Sequence, residues 1–323
     1  MLQAAGRYDE AIELAASAVE TAKGAEQRLT RLAVLRDAYR RADRLDEMVE
    51  TGKEEVAEIR KLLVEAQPKQ QPLVEAYLFE QRRTLASLLT LAERYEEAIA
   101  NLRQMLDQVT QLRQRVQEIG SQTQDAQLRL RAQASEQQAL QRQIFLLRGL
   151  SYVYQSQEDR ETALGQMRQA YELMPDDVGL NNDYGYMLAD MTRDLPNAER
   201  MIRLAVADQP TQAAYLDSLA WVLYKRGQFA EALTWMQRAI ALVDRRDPAM
   251  YDHLADILWR LDRREQAIDA WRQSRQAHER RIATGQAEGG RAELDRVIAK
   301  LEAIEKGAQP EVAEIAAETR PAP

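Results

Sequence analysis

Residues 213–240 have the sequence AAYLDSLAWVLYKRGQFAEALTWMQRAI, in which Gly227 separates two helix-length stretches. Segments with the same arrangement occur on both sides, with a period of 34 or 35 residues, from about residue 144 to residue 276. Three columns of small residues keep this period over four units, so composition alone does not explain the repeat. The columns are Ser151, Gly185, Ala220 and Ala255; Ala163, Ala198, Ala232 and Ala267; and Ala170, Ala205, Ala239 and Ser274.

Each repeat predicts two helices joined by a short turn. Small residues let two helix axes approach closely, and larger residues such as Met167, Ile202, Met236 and Trp271 fill the neighbouring spaces. The 323 residues include only 13 glycines and 9 prolines, the main breakers of regular structure. One helix pair cannot bury its own apolar face, so we expect successive pairs to stack into an all-α solenoid.

Composition and motifs exclude several functional classes. The chain has no cysteine, so it has no disulfide framework, thiolate metal site or cysteine nucleophile. Its net charge of -8 disfavours nonspecific nucleic-acid binding, and no apolar run reaches the ~20 residues of a membrane span. The two histidines, His253 and His278, lack partners at metal-ligand spacing, and phosphate-loop and nucleophile-elbow motifs are absent. We therefore expect no enzymatic activity, no cofactor and no metal.

The repeats resemble the tetratricopeptide repeat family of bacterial type, closely over residues 144–276 and loosely over residues 1–107. The resemblance implies a right-handed α-solenoid of helix-turn-helix units that serves as a protein–protein interaction scaffold. In the first closely matched unit, the residues that carry it are Leu147, Leu150, Ser151, Tyr154, Ala163, Met167, Ala170 and Pro175.

The resemblance and the remaining patterns divide the chain into five parts. We expect degenerate repeats that begin in the middle of a unit over residues 1–106, and four well-matched units over residues 144–277. Between them, residues 107–143 belong to a stretch with 13 glutamines in 40 residues, from Gln104 to Gln143, which predicts an inserted long helical hairpin or, alternatively, a disordered linker. A capping helix is expected within residues 278–306, and a disordered tail over residues 307–323.

The resemblance also assigns a concave groove to the first helix of each unit. An aromatic side chain recurs along this groove, and a polar residue at the fifth position of each unit could hydrogen-bond an extended peptide backbone. The candidate partner-binding residues are Arg148, Tyr152, Asn182, Tyr186, Asp217, Trp221, Tyr224, Lys225, Asp252, Asp256, Trp259 and Arg260.

Two alternatives apply to these groove positions. The aromatic residues Trp221, Tyr224 and Trp259 could instead pack between helices, as we expect for Trp235 and Trp271 on second helices. The carboxylates of Asp217, Asp252 and Asp256 place negative charge in the groove, so we expect a mixed or basic peptide rather than an acidic one.

Two other hypotheses remain at the level of sequence. The chain could be the repeat region of a larger enzyme or of a secretion or cell-envelope assembly protein, because it begins within a repeat. Alternatively, residues 104–143 could mediate self-association through their apolar seam. The sequence fits cytoplasm and periplasm equally and does not identify the partner.

Overall fold

A computed structural model describes residues 2–243, 247–283 and 291–316 of the chain. The described residues form fourteen α-helices and no β-strand. They divide into two compact units, with the boundary between Ala163 and Leu164. Throughout these ranges, each helix is either too short or too polar to cross a bilayer.

The first unit consists of helices that each contact the next one along the chain. In order they are α1 (Leu2–Glu20), α2 (Ala25–Arg41), α3 (Leu45–Glu65), α4 (Gln71–Leu91), α5 (Tyr95–Gln122) and α6 (Ala126–Ser156). Short turns between contacting neighbours make successive helices antiparallel.

The glutamine-rich stretch forms parts of two long helices rather than a separate element. Helix α5 has 28 residues and continues without a break through residue 107, the first predicted boundary of the hairpin. Helix α6 has 31 residues and continues in the same way through residue 143, the second boundary. At the tip, the Asp125 carboxylate accepts hydrogen bonds from the backbone N–H groups of Gln127 and Leu128 and caps α6. Only part of the apolar seam is buried between the helices, because Ile119 and Leu130 are exposed. Self-association through this surface remains a prediction.

The second unit contains three of the four repeats that the sequence matched well and most of the second helix of the other one. Helix α7 (Arg160–Leu173) begins in the first unit and ends in the second. The remaining helices are α8 (Val178–Asp190), α9 (Leu195–Asp208), α10 (Ala213–Lys225), α11 (Phe229–Ala241), α12 (Pro248–Arg260), α13 (Arg264–Ala283) and α14 (Arg291–Glu305). Helix α10 contacts α8 and α12, so the first helices of successive pairs lie side by side, as in a solenoid.

The small-residue columns lie at the helix crossings. All twelve column residues are buried, as are large neighbours in sequence such as Ile202, Met236 and Trp271. At Gly185 on α8, an added Cβ would lie 2.9 Å from Ile202 Cγ1 and 3.1 Å from the Ala198 carbonyl oxygen. The period seen in the sequence therefore marks the positions where α8 and α9, and their equivalents, approach most closely.

The turn inside each helix pair has one backbone geometry. It contains a residue with φ between 54° and 75°, and the next backbone N–H donates to a carbonyl in the last turn of the first helix at 2.8–3.0 Å. This is the Schellman arrangement that ends many helices. The residues that take this left-handed position in the six intra-pair turns are Asp43, Glu93, Glu158, Thr192, Gly227 and Asp262.

The C-terminal region differs from the sequence prediction in two respects. Helix α13 continues to Ala283, so the boundary placed at residue 277 falls inside a helix. Residues 308–316, expected to be disordered, form neither helix nor strand but make hydrogen bonds to α10 and α12, because their backbone groups find partners there. Residues 317–323 lie outside the described residues.

Candidate peptide-binding groove

The candidate residues fall into two groups according to the unit that contains them. Arg148 and Tyr152 lie on α6 in the first unit, where both are exposed. The other ten lie on α8, α10 and α12 in the second unit. We call the surface formed by Trp221, Tyr224 and Lys225 of α10 with Asp256 and Arg260 of α12 the binding groove.

Trp221 lies at the centre of a stack of rings. Its indole stacks on Tyr224 at 5.0 Å between centroids and on His253 at 4.0 Å. The indole Nε1 donates to the Asp190 carboxylate at 3.1 Å, and Lys225 Nζ donates to the Asp190 carbonyl oxygen at 3.0 Å. Trp221 is only 4% exposed, so it fixes the positions of its neighbours on α8, α10 and α12.

The carboxylate of Asp217 is engaged by His253. The His253 Nδ1 lies 2.9 Å from Asp217 Oδ1, and both side chains are largely buried. Burial by itself lowers the pKa of His253, but the carboxylates of Asp217, Asp252 and Asp256 together raise the pKa above its ordinary value. This favours an imidazolium–carboxylate pair, so Asp217 presents little uncompensated negative charge to a ligand.

Lys300 of α14 bridges the other two groove carboxylates. Its Nζ lies 2.7 Å from Asp252 Oδ1 and 2.7 Å from Asp256 Oδ1. Burial alone would lower the pKa of Lys300, but the two carboxylates raise it, so the lysine stays charged. Burial raises the pKa of Asp256, whereas Lys300 opposes that rise. Asp256 Oδ1 also accepts the indole N–H of Trp271, at 3.2 Å.

The segment from Ala308 to Ala316, which we call the docked segment, occupies the binding groove. The Ala313 N–H donates to Asp256 Oδ2 at 2.9 Å. The Ala313 carbonyl oxygen accepts from the Tyr224 hydroxyl at 2.6 Å and from Arg260 at 3.0 Å. Three residues further on, the Ala316 N–H donates to the Lys225 carbonyl oxygen at 2.9 Å. All four contacts involve backbone atoms of the docked segment.

Tyr224 is held in place to donate its hydroxyl proton. Arg260 Nε donates to the Tyr224 oxygen at 3.2 Å, which leaves the hydroxyl hydrogen for the Ala313 carbonyl oxygen. Burial raises the pKa of Tyr224 to about 12, so the hydroxyl remains protonated near neutral pH. Tyr224 and Arg260 therefore form a fixed pair of donors for one peptide carbonyl.

Three other predicted groove residues lie outside these contacts. Trp259 packs against Trp271, with 5.5 Å between ring centroids, and under the Arg264 guanidinium at 3.8 Å. Tyr186 lies 6.4 Å from the His253 ring. Asn182 is buried, and its Oδ1 accepts no hydrogen bond from the described residues.

The two tryptophans expected in the core differ. Trp271 is fully buried. Trp235 is only half-buried on α11, where its Nε1 donates to Glu231 and the Arg238 guanidinium lies over its ring at 4.4 Å. The core prediction for Trp235 is therefore wrong, because its ring lies against polar side chains of its own helix.

Sequence reasoning missed Lys300 as a member of the site. A signal is visible in α14, where Lys300 follows Val297 by three residues and precedes Ile304 by four. That spacing puts a lysine on the apolar face of the helix, and a cation in such a position needs a buried anion.

Comparison with known proteins agrees with the repeat assignment. A family model for the tetratricopeptide repeat matches residues 212–243. TPR repeat-containing protein PA4667 of Pseudomonas aeruginosa is 35% identical over 66 residues, which are 20% of this chain and 11% of that protein. The chain therefore matches about a ninth of the length of this relative.

Solved structures show likeness in fold alone. The crystal structure of BtubC (BKLC) from P. vanneervenii has a TM-score of 0.50 at 15% identity, over 86% of this chain and 99% of that one. The structure of MamA from AMB-1 has a TM-score of 0.38 at 15% identity, over 61% of this chain and 98% of that one. The chain therefore contains, within a series of stacked helix pairs, a unit at residues 212–243 that matches the tetratricopeptide repeat.

Proposed function

We propose that the chain is a non-catalytic scaffold whose second unit binds an extended peptide segment of a protein partner in the binding groove. The supporting observation is the docked segment, whose backbone N–H and carbonyl groups pair with Asp256, Tyr224, Arg260 and the Lys225 carbonyl. A site that bonds the backbone of one extended segment has the groups needed to bond another.

The chemistry of the groove supports binding rather than catalysis. Its ionisable groups are engaged: His253 with Asp217, and Lys300 with Asp252 and Asp256. Within the described residues, no group of three His, Asp or Glu side chains is placed to hold a metal ion. Donors and acceptors fixed in this way favour hydrogen bonding to a peptide backbone over proton transfer.

The test uses a chain in which residues 308–316 are replaced by a Gly-Ser sequence of equal length, which we call the tail-replaced chain. The probe is a fluorescein-labelled synthetic peptide of residues 307–316, and binding is measured by fluorescence anisotropy. Replacing Tyr224→Phe in this background removes only the hydroxyl that donates to the peptide carbonyl. Loss of one such hydrogen bond costs about 0.5–1.5 kcal/mol, so we expect roughly two- to tenfold weaker binding.

Tyr251→Phe provides a matched control on α12. Tyr251 is half-buried, and its hydroxyl makes no hydrogen bond within the described residues, so its replacement should leave the dissociation constant unchanged. Circular dichroism should give the same helix content for both variants. The proposal fails if the tail-replaced chain shows no saturable binding, or if the two tyrosine variants bind the peptide equally.

A further inference from the structure

We infer that the docked segment is a tethered competitor, and that the partner of the groove is a proline-containing, acidic, extended peptide that must displace it. The inference rests on the proposed function and adds the class of partner and the regulation of the site. Three observations support it: the position of residues 308–316, the exposure of their side chains, and the charges of the docked segment and of the binding groove.

The docked segment is positioned by the end of α14. Gly307 has a φ of 73°, and the Ala308 N–H donates to the Ala303 carbonyl oxygen at 2.8 Å, which closes the helix and redirects the chain. Ala313, which carries three of the four groove contacts, lies six residues beyond Gly307. Because this tether is short, it keeps the docked segment at a high local concentration at the groove.

Side-chain exposure along the docked segment has a period of three. Glu311 and Glu314 are exposed, Pro310 is buried, and the residues that follow each glutamate are partly covered. A repeat of three is that of the polyproline II conformation, which has no internal hydrogen bonds and leaves its backbone available to a receptor. The covered positions hold Val312, Ala313, Ile315 and Ala316, so the groove accepts small or medium apolar side chains there.

The charges favour an acidic ligand, contrary to the mixed or basic peptide expected from sequence. Asp252 and Asp256 share Lys300, and Asp217 lies against His253, so each of these carboxylates already has a cationic neighbour within the protein. The docked segment contains two glutamates and no lysine or arginine. The exposed Arg260 guanidinium donates a hydrogen bond to the carbonyl oxygen of Ala313, a residue that lies between Glu311 and Glu314 in the sequence.

Tethering predicts how strongly the docked segment should compete. Short flexible tethers give effective concentrations of about 1 mM. If the free peptide binds the tail-replaced chain with a dissociation constant near 100 µM, it should bind the intact chain roughly tenfold more weakly. Tighter binding by the free peptide would increase this ratio in proportion.

The experiment compares the intact chain with the tail-replaced chain, using four labelled peptides of residues 307–316. The first is unmodified, and the second is N-methylated at Ala313, which removes the N–H that donates to Asp256. The third is N-methylated at Glu314, whose N–H makes no hydrogen bond within the described residues, and the fourth carries Glu311→Lys and Glu314→Lys. In parallel, amide hydrogen exchange is measured at Ala313 and Ala316 of the intact chain.

We expect the unmodified peptide to bind the tail-replaced chain at least fivefold more tightly than the intact chain. Methylation at Ala313 should abolish binding, whereas methylation at Glu314 should change it less than threefold. The amides of Ala313 and Ala316 should exchange at least tenfold more slowly in the intact chain than in the free peptide. A peptide with Glu311→Lys and Glu314→Lys should bind more weakly than the unmodified one.

Failure of the inference can be distinguished from failure of the proposed function. Equal binding of the unmodified peptide to both chains, with unprotected amides at Ala313 and Ala316, would overturn the tethered competitor and leave the groove as a binding site. Tighter binding of the lysine-substituted peptide would overturn the acidic class of partner. Absence of binding by every peptide to the tail-replaced chain would overturn the proposed function and the inference together.

Discussion

Replacing Lys300→Met should destabilise the second unit, because it removes the cation that two groove carboxylates share. The Lys300 side chain is 9% exposed and that of Asp256 is 2% exposed, so water cannot replace the lost partner fully. Methionine keeps most of the apolar length of lysine, so the change tests the charge more than the packing. After it, Asp256 keeps the N–H donors of Trp271 and Ala313 but no cation.

The expected loss is about 3–5 kcal/mol, the cost of leaving a buried charge without its partner. For a unit of this size, that corresponds to a fall in melting temperature of roughly 6–20 °C. The loss should depend on pH, because Lys300 lowers the pKa of Asp256 against the effect of burial. Without Lys300 this pKa rises further, and a folded-state acid whose pKa exceeds its unfolded value loses stability as pH rises. The difference from the parent chain should therefore be larger at pH 8 than at pH 5.

Tryptophan fluorescence during urea unfolding is a suitable assay, because all four tryptophans lie in the second unit. The control is Lys306→Met, which removes an exposed lysine whose ion pair with Glu302 measures 3.0 Å. Exposed pairs of this kind contribute little, so the control should lose less than about 0.5 kcal/mol. Equal losses for the two variants, or a loss from Lys300→Met that is the same at pH 5 and pH 8, would refute the reasoning.

Three further predictions concern packing and buried charge. Gly185→Ala should lower the free energy of unfolding in urea by about 1–3 kcal/mol, because the added Cβ would lie 2.9 Å from Ile202. Gly165→Ala is the control: its added Cβ would meet nothing within 4 Å, so it should stabilise α7 by up to about 1 kcal/mol. Equal effects of the two substitutions would contradict the crossing geometry. Ala232→Leu should overpack a helix crossing and cost about 1–3 kcal/mol, and an unchanged melting temperature would argue against the repeat register. Burial raises the pKa of Glu55 from 4.5 to about 7, so the free energy of unfolding should fall as pH rises between these values. In Glu55→Gln this fall should be smaller by up to about 3 kcal/mol. An unchanged pH profile of the unfolding free energy would contradict this.

The helix pairs could be predicted from sequence because their signal is local and periodic. Ala163, Ala198, Ala232 and Ala267 recur at nearly equal intervals, and each is buried at a crossing. The geometry of one helix pair sets the period, and each neighbouring pair repeats it. One sequence therefore shows the same pattern of small and large residues several times, and this makes the helix pairs recognisable.

The contents of the groove could not be predicted in this way. Residues 308–316 have the alanine, glutamate and proline content of a disordered tail, and only the placement of Asp256, Tyr224 and Arg260 supplies partners for their backbone. The cation that contacts the groove carboxylates was not foreseen for a similar reason. The carboxylate of Asp256 lies next to Lys300, which is 44 residues away in sequence, and no local pattern relates the two.

The left-handed residue in each intra-pair turn has a consequence for engineering this scaffold. Five of the six positions hold Asp, Glu or Thr, for which the left-handed conformation costs about 1–2 kcal/mol relative to glycine. The cost is smaller for Asp than for the other two. Thr192, which is β-branched, is the least suited of them, with a φ of 54°. These sites are separated by at least 34 residues along the chain, and effects at distant sites usually add. Glycine substitutions at these turns should therefore raise the free energy of unfolding without changing the residues of the binding groove.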